Sequence, residues 1–232
     1  MSAGRQDVEP PAEWRSRWFR RITRPILAGL YDTRVYNRER LPASGPVLAV
    51  VNHIGFLDGP FAFAYLPRPG HFLVLDKTFN GVMGNVLTWS GQIPINQDRG
   101  DRTALARGLE VLRRGGLLGI FPEGGRGRGD LATAGKGAAW LALQSDATVV
   151  PVALLGTRYT GDLADSWPRL RSPLVLDLGE PLTIEPIAGV PNRVRLDRAT
   201  EEIRTRLADQ VAASSERHGI PLPTDIPPDL IP

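Results

Sequence analysis

One α/β domain, with a mixed and largely parallel central sheet flanked by helices and preceded by an N-terminal amphipathic helical segment, is what the sequence predicts. Three observations lead there. From Pro46 onward, short apolar runs alternate with stretches of helical period, the pattern of strands joined through crossover helices. The runs have strand length rather than helix length and end at glycine, proline or charged residues. The chain's 232 residues are 42% hydrophobic, enough for one sizeable core with extensions.

Met1 to about Pro11 is polar and reads as a frayed end. From Glu13 to Arg24, Trp14, Trp18 and Ile22 recur at helical spacing while Arg15, Arg17, Arg20, Arg21 and Arg24 fill the other faces, giving a basic amphipathic helix. Pro25 is expected to end or kink it, with a second short turn over Ile26 to Tyr31. Strands are predicted over Val47 to Val51, His71 to Leu75, Gly91 to Ile95, Leu117 to Phe121, Val149 to Leu155 and Leu174 to Leu178. Helices are predicted over Gly59 to Tyr65, Arg102 to Arg114, Gly135 to Gln144 and Val194 to Ala212. Core packing is the expectation for the apolar stretch Phe72 to Trp89, with the lining of an apolar channel as its alternative. Gly219 to Pro232 is too proline-rich for helix or central strand. The chain divides into an N-terminal segment (1–40), a core domain (41–218) and a tail (219–232).

Composition narrows the chemistry. Without cysteine there is no disulfide, no thiolate nucleophile and no cysteine-based zinc site. No run approaches the ~20 apolar residues that span a bilayer, and arginines interrupt the start where a signal peptide would be continuously apolar. The chain is expected to stay inside the cell. A net charge of +3 suits an anionic partner, whether membrane surface, nucleic acid or phosphorylated substrate.

In Val51-Asn-His-Ile-Gly-Phe-Leu-Asp-Gly-Pro60, a histidine and an aspartate lie five residues apart, directly after an apolar strand. A helix would turn them roughly 140° apart, and a strand would put them on opposite faces. His53 and Asp58 meet only if the chain turns between them, which Gly55 permits; Pro60 then sits near a helix start, with Asp58 at its cap. Two other strand ends are unusual: Gly91 to Arg99, running out into Asp98 and Arg99, and the glycine- and arginine-rich Phe121 to Gly129. Ligands gather at such ends. Glycines there let amides approach an anion, and arginine forks match phosphate oxygens.

Together these residues resemble the glycerolipid acyltransferase family, which includes the 1-acylglycerol-3-phosphate acyltransferases. Asn52, His53 and Asp58 fit its N-H-x4-D block, Ile95 to Arg99 its second, Phe121 to Arg126 its third (F-P-E-G-x-R) and Val149 to Val152 its fourth, in order over about Leu41 to Leu182. Three departures stand out. Gly55 replaces a common serine, Gln97-Asp98-Arg99 varies the usual I-D-R, and Gly125 replaces a threonine or serine beside the acceptor.

The resemblance makes 41–218 an acyltransferase domain. It implies transfer of a fatty acyl group from a thioester, acyl-CoA or acyl-ACP as co-substrate, to a hydroxyl of lysophosphatidic acid or a related glycerol phosphate in phospholipid synthesis. His53 is then the general base and Asp58 its orienting carboxylate, the logic of a triad whose serine belongs to the substrate. Lys77, Arg99, Glu123, Gly124 and Arg126 become substrate-binding candidates, and neither metal nor further cofactor is implied. Glu123 either binds the acceptor or fixes a loop, and Asn52 supports the loop. Another acceptor, a glycolipid or other lysophospholipid, is the alternative within the same chemistry. A non-enzymatic arginine-rich module is the other, but Gly124 to Gly129 is single, short and without aromatic platforms, so no nucleic-acid partner is expected. Acyl carrier protein and a membrane surface are the expected macromolecular partners, the latter through the tryptophan- and arginine-bearing N-terminal helix, at the cytoplasmic face of the membrane. His71 and His218, lacking motifs, are read as structural or exposed.

Overall fold

The computed structural model describes residues 11–97, 100–185 and 189–230. An α-helix, α1 (Glu13–Leu30), leads into β1 (Asp32–Tyr36) and β2 (Val47–Val51). Then follow α2 (Asp58–Tyr65), β3 (His71–Leu75), α3 (Gly81–Trp89), β4 (Ile93–Ile95), α4 (Arg102–Arg113), β5 (Leu117–Ile120) and α5 (Gly137–Ser145). Three strands, β6 (Thr148–Leu155), β7 (Pro173–Leu178) and β8 (Leu182–Thr183), precede the long α6 (Asn192–His218).

The strands form one sheet in the order β1-β7-β6-β2-β5-β3-β4, with β8 beside β6. It is mixed and mostly parallel: β2 runs parallel to β5 and β6, and β3 to β4 and β5, while β6 is antiparallel to β7 and β8. Pro151 explains why β7 and β8 are two strands. It has no N–H for the ladder, and opposite it the chain breaks at Gly179, where an added Cβ would lie 2.8 Å from the proline Cγ.

Both faces of the sheet are covered, so β2 is buried along its whole length. Leu48 and Val50 face one core with Leu109 and Leu112 of α4, Leu141 of α5 and Leu207 of α6. Val47, Ala49 and Val51 face the other with Phe61 and Leu66 of the α2 region and Leu27 of α1. Asp101 caps α4, accepting from the Ala104 amide at 2.9 Å.

The local readings of β2 and β3 match to the residue; three others need correcting. Pro25 does not end α1, which continues to Leu30. Proline removes the partner of the Arg21 carbonyl, but Arg21 and Pro25 are exposed, where water satisfies that carbonyl. The inner face is held by polar contacts: Ser16 Oγ donates to Gly70 O at 2.7 Å, Arg24 Nε donates to Ala64 O at 2.6 Å, and Arg20 donates to Ala64 O and Leu66 O. Second, the N-terminal segment supplies a strand, β1, paired parallel with β7. As an edge strand it alternates exposed and half-buried residues, too polar a pattern to stand out. Third, the end of the Phe72 to Trp89 stretch is not core. It forms α3, where only Gly84 is buried and Val82, Met83 and Trp89 are exposed.

His71 is buried, with Nδ1 2.7 Å from Gly91 O. His218 sits 3.0 Å from the buried Asp177 carboxylate, which also accepts from Ser214, Arg217 and Asn37 and joins the end of α6 to β7 and β1. Both histidines are structural.

Candidate active site

Parallel strands β2, β3, β4 and β5 deliver their carboxyl ends to one edge of the sheet, and each predicted site residue among the described residues follows one of those ends. Beyond β2, Asn52 is buried and pairs with the Leu154 backbone of β6, accepting from N at 2.7 Å and donating to O at 3.0 Å. The ladder is thus extended by a side chain just as the backbone leaves it. His53 comes next.

The turn at Gly55 brings His53 and Asp58 together, with His53 Nδ1 2.8 Å from Asp58 Oδ2. Asp58 opens α2 but does not cap it; its carboxylate reaches back into the turn. Oδ2 also accepts from the amides of Ile54 at 2.6 Å and Gly55 at 2.8 Å, and Oδ1 accepts from the Thr157 hydroxyl. Fully buried and hydrogen-bonded through both oxygens, this carboxylate has one orientation open to it. Gly55 is forced by packing, since a Cβ there would lie 2.7 Å from Thr157 O. A serine does not fit.

The imidazole stacks on Phe121, centroids 4.3 Å apart and planes 25° apart, and keeps 19% of its side chain exposed. With Nδ1 held by Asp58, Nε2 is the nitrogen left for a substrate.

The other candidates surround this pair unequally. Glu123 accepts from the His53 amide at 2.8 Å, and Gly127 N donates to His53 O at 3.0 Å, so the glycine-rich segment after β5 clasps both backbone polar groups of His53. Gly124, at φ +77°, lies against the Gln97 side chain of the second block. Arg126 passes over the Phe56 ring, donates to Ala164 O at 3.1 Å and pairs with Asp165. Lys77 sits in the turn Asp76–Thr78 after β3, beside an Asp76–Asn96 hydrogen bond of 2.8 Å that joins the ends of β3 and β4. Arg99 lies outside the described residues.

A protein-family model described as Acyltransferase matches residues 32–155, more than half of the chain. The chain belongs to the acyltransferase family. It is an O-acyltransferase.

Relatives agree. A Bacillus subtilis 1-acyl-sn-glycerol-3-phosphate acyltransferase is 27% identical over 186 residues, covering 79% of this chain and 90% of its own. A Chlamydomonas reinhardtii protein of the same description is 35% identical over 139 residues, which are 56% of this chain and 40% of that longer protein. The crystal structure of the 1-acyl-sn-glycerophosphate acyltransferase of Thermotoga maritima superposes with a TM-score of 0.65 at 21% identity, over 85% of this chain and 80% of that one. It shows that the fold is shared.

Two residues of this acyltransferase escaped sequence reasoning. Thr157 donates to Asp58, and the fully buried Arg158 donates to Ile54 O at 3.0 Å and Gly127 O at 3.2 Å. Both follow β6, and the strand-end rule applied to Arg99 and Glu123 reaches them equally.

Burial pushes the Glu123 carboxyl up to about 7, with the Asp130 and Asp58 charges adding to it against backbone hydrogen bonds from His53 and Leu131. Its folded value lies above its unfolded one, so it lends stability that is complete below pH 4.5 and lost as pH rises through about 7. Glu123→Gln keeps the acceptor oxygen without the titration. It should flatten thermal stability across that window and raise Tm at about pH 8 relative to wild type. Parallel Tm profiles for the two proteins would count against this environment.

Proposed function

We propose that this enzyme moves a fatty acyl group from an acyl-CoA or acyl-ACP thioester to a free hydroxyl of lysophosphatidic acid or a closely related glycerol phosphate. The observation that carries the reading is the His53–Asp58 pair, an imidazole held at 2.8 Å by a buried carboxylate, its second nitrogen without a hydrogen-bond partner among the described residues. His53 Nε2 takes the acceptor's proton as that oxygen attacks the thioester carbonyl, and Asp58 stabilises the imidazolium. Collapse of the tetrahedral intermediate breaks the C–S bond, and the departing thiolate takes the proton back. Amides of Gly124 and Gly127 are engaged within the fold, and those of Gly125 and Arg126, which lie between them in the loop, are the donors to the oxyanion in this reading.

Arg126 is the phosphate contact in this reading, joined by Arg99 and Lys77. Arg126→Ala should raise KM for a phosphorylated acceptor by about tenfold or more, Arg99→Ala less, with KM for the thioester little changed. Lysine at 126 should rescue only in part, because it lacks the fork. Purified protein incubated with acyl thioesters and a panel of lysolipids, products identified by mass spectrometry, tests both points. Equal losses on acceptors with and without phosphate would remove Arg126 from the phosphate site; no acyl transfer to any lysolipid would overturn the function.

One observation favours a second acceptor class. An added Cβ at Gly125 meets nothing within 4 Å, leaving open space where the family pattern that this loop resembles has a threonine or serine, which suits a larger head group such as that of a glycolipid or another lysophospholipid. The same panel separates the two.

The lipid acceptor must be reached from a surface, and we propose α1 as the docking element at the cytoplasmic face of the membrane. Among the described residues no helix is long and apolar enough to cross a membrane. The inner face of α1 is docked on the domain through Ser16, Arg20, Arg24 and the buried Leu27, while Trp14, Trp18 and Ile22 are 58%, 50% and 40% exposed, the stripe continuing through Ile26 and Leu30. Trp89 of α3 meets Trp14 and Trp18 edge-on, at 6.3 and 5.4 Å between centroids, and widens the platform.

A further inference from the structure

Among the described residues Arg158 is the largest fully buried side chain. Nε donates to Ile54 O, between His53 and Asp58; Nη2 donates to Gly127 O, in the glycine-rich loop. Gly127 N in turn donates to His53 O, so the two loops and the guanidinium close a ring of hydrogen bonds behind the imidazole. The remaining donors go to Asp162 O at 3.0 Å, to Asp225 O at 2.8 Å and to Asp225 Oδ1 at 3.0 Å. Asp225 is the guanidinium's one carboxylate partner among the described residues. It stands in the proline-rich tail, 67 residues away, and its other oxygen accepts from Gly161 N at 2.8 Å.

We propose that the C-terminal tail is a working part of the active site: Asp225, through Arg158, holds the His53 turn and the glycine-rich loop in their catalytic relation. Arg158 and Asp225 are positioning residues; neither touches the reacting atoms. Removing one partner of a buried ion pair leaves an uncompensated buried charge, which is strongly unfavourable. Without the Asp225 charge, Arg158 is drawn toward water, and the carbonyls of Ile54 and Gly127 lose the donor that ties them together. The turn carrying the imidazole and the loop carrying the oxyanion donors then move independently, which costs turnover rather than affinity. Asp229 also docks the tail, accepting from Ala164 N at 2.9 Å, but reaches neither loop. It provides the control.

The proposal rests on the acyl-transfer reading for its kinetic arm and is independent of it in its structural arm. In the full-length protein, Asp225→Asn should lower kcat by about tenfold or more with both KM values within about threefold, and Asp225→Glu should recover much of the loss. Amide exchange followed by mass spectrometry should quicken by about tenfold in residues 53–58 and 124–129. Arg158→Lys, which keeps the charge without the fork, should behave like Asp225→Asn. Asp229→Asn should leave kcat within about twofold. Unchanged kcat and protection in Asp225→Asn, or an equal loss in Asp229→Asn, would overturn the proposal. Loops that loosen in a protein whose parent shows no acyl transfer would remove the functional reading and leave the positioning role standing.

Discussion

Replacing His53 with alanine should lower kcat by ~10²-fold to ~10⁴-fold while substrate affinity and folding change little. The ring lies at the sheet edge, is partly exposed and contributes one stacking contact, so its removal opens no core cavity. Asp58→Asn should lose activity in the same direction, and the structure shows why it should still fold. The amide oxygen takes the Oδ2 position, accepting from His53 Nδ1 and the amides of Ile54 and Gly55. The NH₂ then faces Thr157, whose hydroxyl turns from donor to acceptor. The hydrogen bonds survive and only the charge is lost, so the rate deficit reports stabilisation of the imidazolium. Alanine at 58 is a worse probe, because it orphans three buried donors at about 1–3 kcal/mol each. A His53→Ala enzyme keeping more than about half its rate would end the general-base assignment.

Changing Trp14 and Trp18 to serine should release the protein from anionic vesicles even at low salt, with activity on a soluble acceptor largely kept. Full burial of a large apolar side chain is worth about 1.5–3 kcal/mol; these two are roughly half exposed, so the pair should contribute about 2–3 kcal/mol, or about 30- to 150-fold in partitioning. Arginines beside the stripe add about 1 kcal/mol each near the surface. Salt screens that second contribution and not the first, so high salt should weaken intact protein only in part. Deleting residues 1–30 would be a poorer test, because it also strips the Ser16, Arg20 and Arg24 donors from the carbonyls of Ala64, Leu66 and Gly70. Vesicle sedimentation decides the matter. Unchanged binding of the double variant would assign docking to another surface.

What could be read along the chain was what is encoded locally. β2 and β3 emerge to the residue because a buried strand between breakers is a local pattern, and α4 because its period and cap are local. The His53–Asp58 pairing was legible for a related reason: five residues with a glycine between them allow one productive geometry, a turn. The period of α1 gave its apolar stripe, but only the fold decided that Trp14, Trp18 and Ile22 face outward rather than onto the domain. The sequence by itself determined the α/β class, the strand ends where the site lies and the residue types that carry the chemistry. Tertiary structure alone decided which polar residues serve those chemical groups. Thr157 reaches Asp58 across 99 positions, Arg158 reaches Ile54 across 104, and Asp225 reaches Arg158 across 67. Nothing in the local period marks such partners, since a buried polar group is satisfied by whatever the fold brings within hydrogen-bond distance. The same holds for Pro25, whose helix continues because the carbonyl it frees faces water, and for β1, whose polar residues become a strand because β7 offers an edge.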